Sequence, residues 1–227
     1  MFELVENSNG IIESGRRQAH IDQVLNLKSS DKMKSFKMKN RSRVLIAVSA
    51  LLMMSAYFLP LWQIVLEAPQ YPEGLGMKIW LTGLSGNIDQ INGLNHYIGM
   101  KHIAVEDFWE FKIMPYVFGF VLVFGLITAY LNNRKWLAAW IILLVLFAVI
   151  GFIDFYLWEY QYGHNLDPKA AIKVAGMTYQ PPLIGYKQLL NFLAGSLPDI
   201  GGIVAGIAGT LAVSVLFYEQ RVANKLK

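Results

Sequence analysis

Four blocks of the chain are apolar almost without interruption. Residues 44–66, 115–131, 136–158 and 200–218 each carry at most one ionised side chain, and about 20 apolar residues let a helix cross the hydrocarbon of a bilayer. Two of the blocks, VLIAVSALLMMSAYFLPLW and WLAAWIILLVLFAVIGF, lack the polar face that a core helix of a soluble bundle needs. The pattern predicts an all-α membrane protein with four transmembrane helices, over about 44–62, 115–131, 136–158 and 200–218. A polar tail, 1–43, precedes this membrane domain, 44–227, and the long connections are 63–114 and 159–199. MKNRSR directly before the first block makes Met38 an alternative start for the chain.

Between the blocks the pattern changes period. After Pro60, Trp62, Ile64 and Leu66 alternate with Gln63, Val65 and Glu67, and MKIWLTGL (77–84) alternates again beyond the Pro- and Gly-containing APQYPEGLG. Alternation around a turn predicts a β-hairpin from Trp62–Glu67 and Met77–Leu84. EDFWEFKIM reads as a short helix lying on the membrane surface before Pro115. GYKQLLNFLAG reads as helical, and Gly202 and Gly206, one turn apart, would let helix backbones approach closely in lipid. The halves also share signals. Arg43 and Arg134, Gln70-Tyr71 and Gln161-Tyr162, Ile98-Gly99-x-Lys101 and Ile184-Gly185-x-Lys187, and Met114-Pro115 and Leu197-Pro198 recur in order, which suggests a tandem two-span repeat.

Charge sets the expected orientation. Of the 20 Lys and Arg, nine lie in residues 1–43, two in LNNRK (Arg134, Lys135) and three at the C-terminus (Arg221, Lys225, Lys227), while the long connections carry six lysines and an acidic surplus. Positive residues near span ends stay cytoplasmic, so both termini are expected inside a bacterial inner membrane (N-in/C-in) and both long loops outside, as a cap. The net charge of +4 follows from this bias and does not point to nucleic acid. The chain has no cysteine, which removes disulfide oxidoreductases and thiolate metal sites, and no predicted span contains a histidine for an intramembrane haem.

The remaining ligand chemistry is imidazole and thioether. His96, His102 and His164 fall in the outer loops with Met77, Met100, Met114 and Met177, and this pairing suits copper, because thioether sulfur favours Cu(I) and imidazole accepts either oxidation state. NHYIGMKHI brings His96, Met100 and His102 within seven residues, with Met77 or His164 as a further ligand. The plain alternative is that the histidines are solvated and Met100 packs on an aromatic ring. Asp154 is the ionisable residue well inside a predicted span, where such residues face a partner or a wet cavity and could carry protons or bind a cation; a turn or two from the outer interface, a cap or a salt bridge to a loop lysine is the plainer role. Trp62, Tyr71, Trp80, Tyr97 and Trp109 are of the type enriched in interface cores. No HExxH, Walker, dinucleotide-binding or triad pattern occurs, so nothing in the sequence points to an enzyme.

The run LPLWQIVLEAPQYPEGLGMKIW followed by INGLNHYIGMK resembles a small family of four-span accessory proteins, the NosB-like proteins encoded beside Sec-exported nitrous oxide reductases. The resemblance covers roughly Pro60–Lys101 and the four-span layout. It implies a partner in the periplasm, a copper enzyme of denitrification or its copper chaperone and delivery apparatus. Two readings from other classes stay open: a subunit of a small transporter or channel, which with four spans would need to oligomerise, and a membrane anchor passing electrons to periplasmic cytochromes.

Overall fold

The computed structural model describes residues 20–21, 23–25, 37–174 and 176–225, so most of the predicted tail lies outside the described residues. The first apolar block forms a helix α1 (Asn40–Met53) that tightens into a 3-10 turn (Met54–Tyr57). Together these rise about 29 Å. Pro60 ends the block, and Trp62, predicted to close the first span, already lies in a strand. The next segment folds as β1 (Trp62–Ala68), β2 (Tyr71–Trp80), β3 (Gly83–Gly86) and helix α2 (Ile88–Ile98). Helix α3 (Glu110–Leu131) and helix α4 (Arg134–His164) follow, then β4 (Gly185–Leu189), β5 (Phe192–Pro198) and helix α5 (Ile200–Lys225).

Among the described residues, α3, α4 and α5 are long and apolar enough to cross a membrane. Their surfaces fit lipid. Phe120, Ile142, Ile150 and Ile207 stand exposed, whereas a soluble protein rarely leaves so much contiguous apolar surface uncovered. All four apolar helices pack around one core containing Ile46, Ala50, Val121, Trp140 and Ala208. Ser49 Oγ donates to Ala208 O at 2.7 Å and Trp140 Nε1 to Val121 O at 2.8 Å, so polar atoms inside the bundle are satisfied by neighbouring helices. The turn between α3 and α4 needs two asparagines: Asn132 adopts φ 54°, and Asn133 caps α4 by accepting from Lys135 N at 2.9 Å.

At one end of the bundle Glu219, fully buried near the end of α5, accepts from Lys39 N (3.0 Å), Ser42 Oγ (2.6 Å) and Arg134 Nε (3.0 Å). This carboxylate ties together the start of α1, the α3–α4 turn and the end of α5. The other end carries a five-stranded antiparallel sheet in the order β3-β2-β1-β5-β4. The predicted hairpin is present, with Trp62 opposite Ile79 and Ile64 opposite Met77.

The sheet corrects the all-α expectation, and most directly at GYKQLLNFLAG. Its apolar residues at 189, 190, 192 and 193 mimic a helical face, yet it forms the β4–β5 hairpin because β1 offers a free edge: Ile64 pairs with Ser196 and Val65 with Gly195. The predicted surface helix is also replaced. Only Val105–Asp107 turns separately, and EFKIM forms the first turn of α3 with Pro115 inside it. The small residues of α5 act at its start, where Gly201 and Gly202 lie against the backbone of Leu59–Leu61 with no room for a Cβ, while Gly206 faces open space. The suggested repeat does not survive in the fold. Gln161-Tyr162 lies in α4 but Gln70-Tyr71 at a strand turn, and Gly99 ends a helix where Gly185 opens a strand.

Candidate functional site

The inward face of the sheet, with Ile64, Leu66, Leu75, Met77 and Ala194, packs on α2 and on the last turns of α4 in a second core. Helix α4 reaches this core because its 31 residues extend about 46 Å, well beyond the roughly 30 Å of hydrocarbon. The turns after residue 158 therefore stand among sheet residues. Gly163 makes the approach close: it packs against the backbone of Gln180 with no space for a Cβ, and its carbonyl accepts from Tyr179 N at 2.9 Å.

This core holds a cavity of about 50 Å³, room for about three or four water molecules. Met77 reaches it from β2, Met100 from just beyond α2, Asn95 from α2, Glu159 from α4 and Tyr179 from the following loop. The remaining walls are apolar or aromatic, with no Lys, Arg or His among them. Glu159 is fully buried, Asn95 is 4% exposed and Tyr179 2%. Both carboxylate oxygens of Glu159, Asn95 Nδ2 and the Tyr179 hydroxyl have no hydrogen-bond partner. Buried polar atoms are almost always partnered, so several orphans from separate elements around one cavity mark a place built to hold something polar.

A larger cleft of about 260 Å³ lies between α3 and α4 beneath β2 and β3, walled by Trp62, Trp80, Phe111, Met114 and Trp158 with Glu110 and Asp154. Trp158 borders both spaces. Asp154 is exposed where α4 borders this cleft.

The turn region of NHYIGMKHI is shaped by Gly99, which ends α2 at φ 79° with Met100 N donating to Asn95 O at 2.9 Å. Asn92 then clamps the outgoing chain, its side chain donating to Ile103 O (2.9 Å) and accepting from Ile103 N (2.7 Å). This geometry separates the predicted ligands. Met77 and Met100 share the cavity, but His96 and His102 are exposed, His102 Nε2 lying 3.2 Å from Asn92 Nδ2. His164 stacks on Tyr160 at 3.9 Å with Nδ1 3.0 Å from the Tyr160 carbonyl. Among the described residues no three His, Cys, Asp or Glu side chains form a metal-holding group. Nearby, Lys101 pairs with Asp107 at 2.9 Å, and that hydrogen bond raises the lysine above its ordinary range.

Of the aromatics expected at an interface, Tyr97 and Trp109 are exposed. Trp62 is engaged inside, donating from Nε1 to Ser196 Oγ at 2.8 Å and packing on Phe152 and Phe155. Trp80 donates to Ser85 Oγ at 2.6 Å, and Tyr71 packs on the second core. Sequence reasoning passed over Glu159, Asn95 and Tyr179. The available signal was helical phase: Glu159 lies four residues after Phe155 and three before Tyr162, all on the face that meets the sheet. Compared with models of known protein families and with curated proteins, the chain matches none.

Proposed function

We propose that this chain is a non-enzymatic accessory protein of the bacterial inner membrane, crossing it four times with both termini inside, whose sheet-built cap docks a periplasmic partner. The observation that carries the proposal is the cap itself. Two loops far apart in sequence join edge to edge into one sheet, β1 of the first pairing with β5 of the second, and simple connections between helices are far shorter than these.

The outward face of that sheet supports docking. Val65, Gly76, Gly195 and Tyr186 form one row across four strands, with Tyr186 62% exposed. A flat face with an exposed tyrosine ring laid over Gly195, and with Lys78 and Glu67 on neighbouring rows, fits a protein partner of mixed polarity. The partner implied by the sequence resemblance is a copper enzyme such as nitrous oxide reductase, or the apparatus that loads it. The transporter reading rests on Asp154, which lies at the α3–α4 cleft and away from the four-helix core.

Copurification tests the proposal. Detergent-solubilised chain is expected to retain a periplasmic copper protein, and Tyr186→Asp to lose it while remaining folded. Capture of no periplasmic protein by a folded cap defeats the docking reading.

A further inference from the structure

The cavity beneath the sheet contains what a small cation needs and lacks any protein group to neutralise Glu159. Leaving a buried carboxylate charged and unpaired is strongly unfavourable, and no cationic side chain lines the cavity. Two thioethers line it from separate elements, Met77 at 1% exposure and the half-buried Met100.

We propose that this cavity binds Cu(I), held by the sulfurs of Met77 and Met100 and the carboxylate of Glu159. The inference rests on the copper-linked reading of the cap and names where the ion sits. Three considerations select it. Thioethers are soft ligands, which favour Cu(I) over sodium, potassium or magnesium. Calcium takes six to eight oxygen ligands, more than Glu159, Asn95 and Tyr179 supply. A single positive charge on Cu(I) cancels the single negative charge of Glu159, so the loaded site is neutral within apolar walls, whereas a divalent ion leaves net charge buried. Asn95 and Tyr179 add further polar atoms without partners to the same cavity. A pair of thioethers with one carboxylate holds the ion without thiolate, which suits an ion passed onward.

The site differs from one built on the exposed histidines, and the variants separate the two. Full-length protein in detergent is titrated anaerobically with Cu(I) against a competing chelator, with X-ray absorption at the copper edge. The wild type is expected to bind one equivalent per chain with sulfur scatterers. Met77→Leu/Met100→Leu, a volume-conserving pair of changes, loses that equivalent, and Glu159→Gln loses it or weakens it strongly. His96→Ala/His102→Ala binds as the wild type does. Wild-type protein that binds no copper, or a folded double methionine variant that keeps it, overturns the proposal. Loss in the histidine variant alone moves the ion to the outer loop and also overturns it. Copurification of the partner by the double methionine variant separates the two readings: docking retained without copper leaves the accessory function standing and removes only the site.

Discussion

Gly99 shows how one residue fixes the approach to the cavity. It takes φ 79° at the end of α2, and a Cβ there would strike Ala170 and the backbone of Asp167. Asp167 N donates to Gly99 O at 2.8 Å and Ile172 N to Tyr97 O at 2.9 Å, so the loop after α4 is seated on this turn. Gly99→Ala is expected to destabilise the cap by more than about 1 kcal/mol and to expose residues 165–174 to protease, with the helical bundle unaffected in circular dichroism. Glu159→Gln has the opposite expectation in metal-free protein. It keeps the shape and replaces a carboxyl that has no partner and that burial pushes up to about 8, so thermal stability at neutral pH is unchanged or higher. A clear fall in stability would mean that the carboxylate has a partner in the folded protein.

At the scale of elements, the two buried glutamates do different work. Glu219 is matched by Arg134, Ser42 and the Lys39 backbone, and it joins helices distant in sequence. Removing one partner of a buried ion pair costs about 3–5 kcal/mol, so Glu219→Ala is expected to lower the melting temperature and loosen the ends of α1 and α5, seen as faster hydrogen exchange there. Arg134→Ala is expected to lower it too, and the double variant to cost less than the sum of the two, because both changes break the Glu219–Arg134 pair. The α3–α4 turn was legible from the sequence, since LNNRK places two asparagines between apolar blocks. The β4–β5 hairpin was not, because LLNFL suits either period and only pairing with β1 makes it extended.

On the scale of the whole molecule, the proposed topology puts the Glu219 end in the cytoplasm and the sheet outside. The absence of cysteine makes the test direct. Single cysteines replacing Glu73, on the exposed β1–β2 side, or Lys169, in the loop after α4, are expected to react with a membrane-impermeant maleimide in intact spheroplasts. Cysteines at Arg221 or Lys225 react only after lysis. External labelling at Lys225 would break the arrangement of four crossings. Local composition shows where the apolar helices lie and which connections are long, because crossing a bilayer requires a continuous apolar run. It also displays the first hairpin, whose strands are adjacent and alternate around a turn. Long-range pairing and packing were needed to show that β5 joins that hairpin, that the last turns of α4 meet the sheet, and that Met77, Met100 and Glu159 line one cavity while His96 and His102 are exposed. Those facts depend on strand pairing between residues more than 100 positions apart and on the length and phase of one helix.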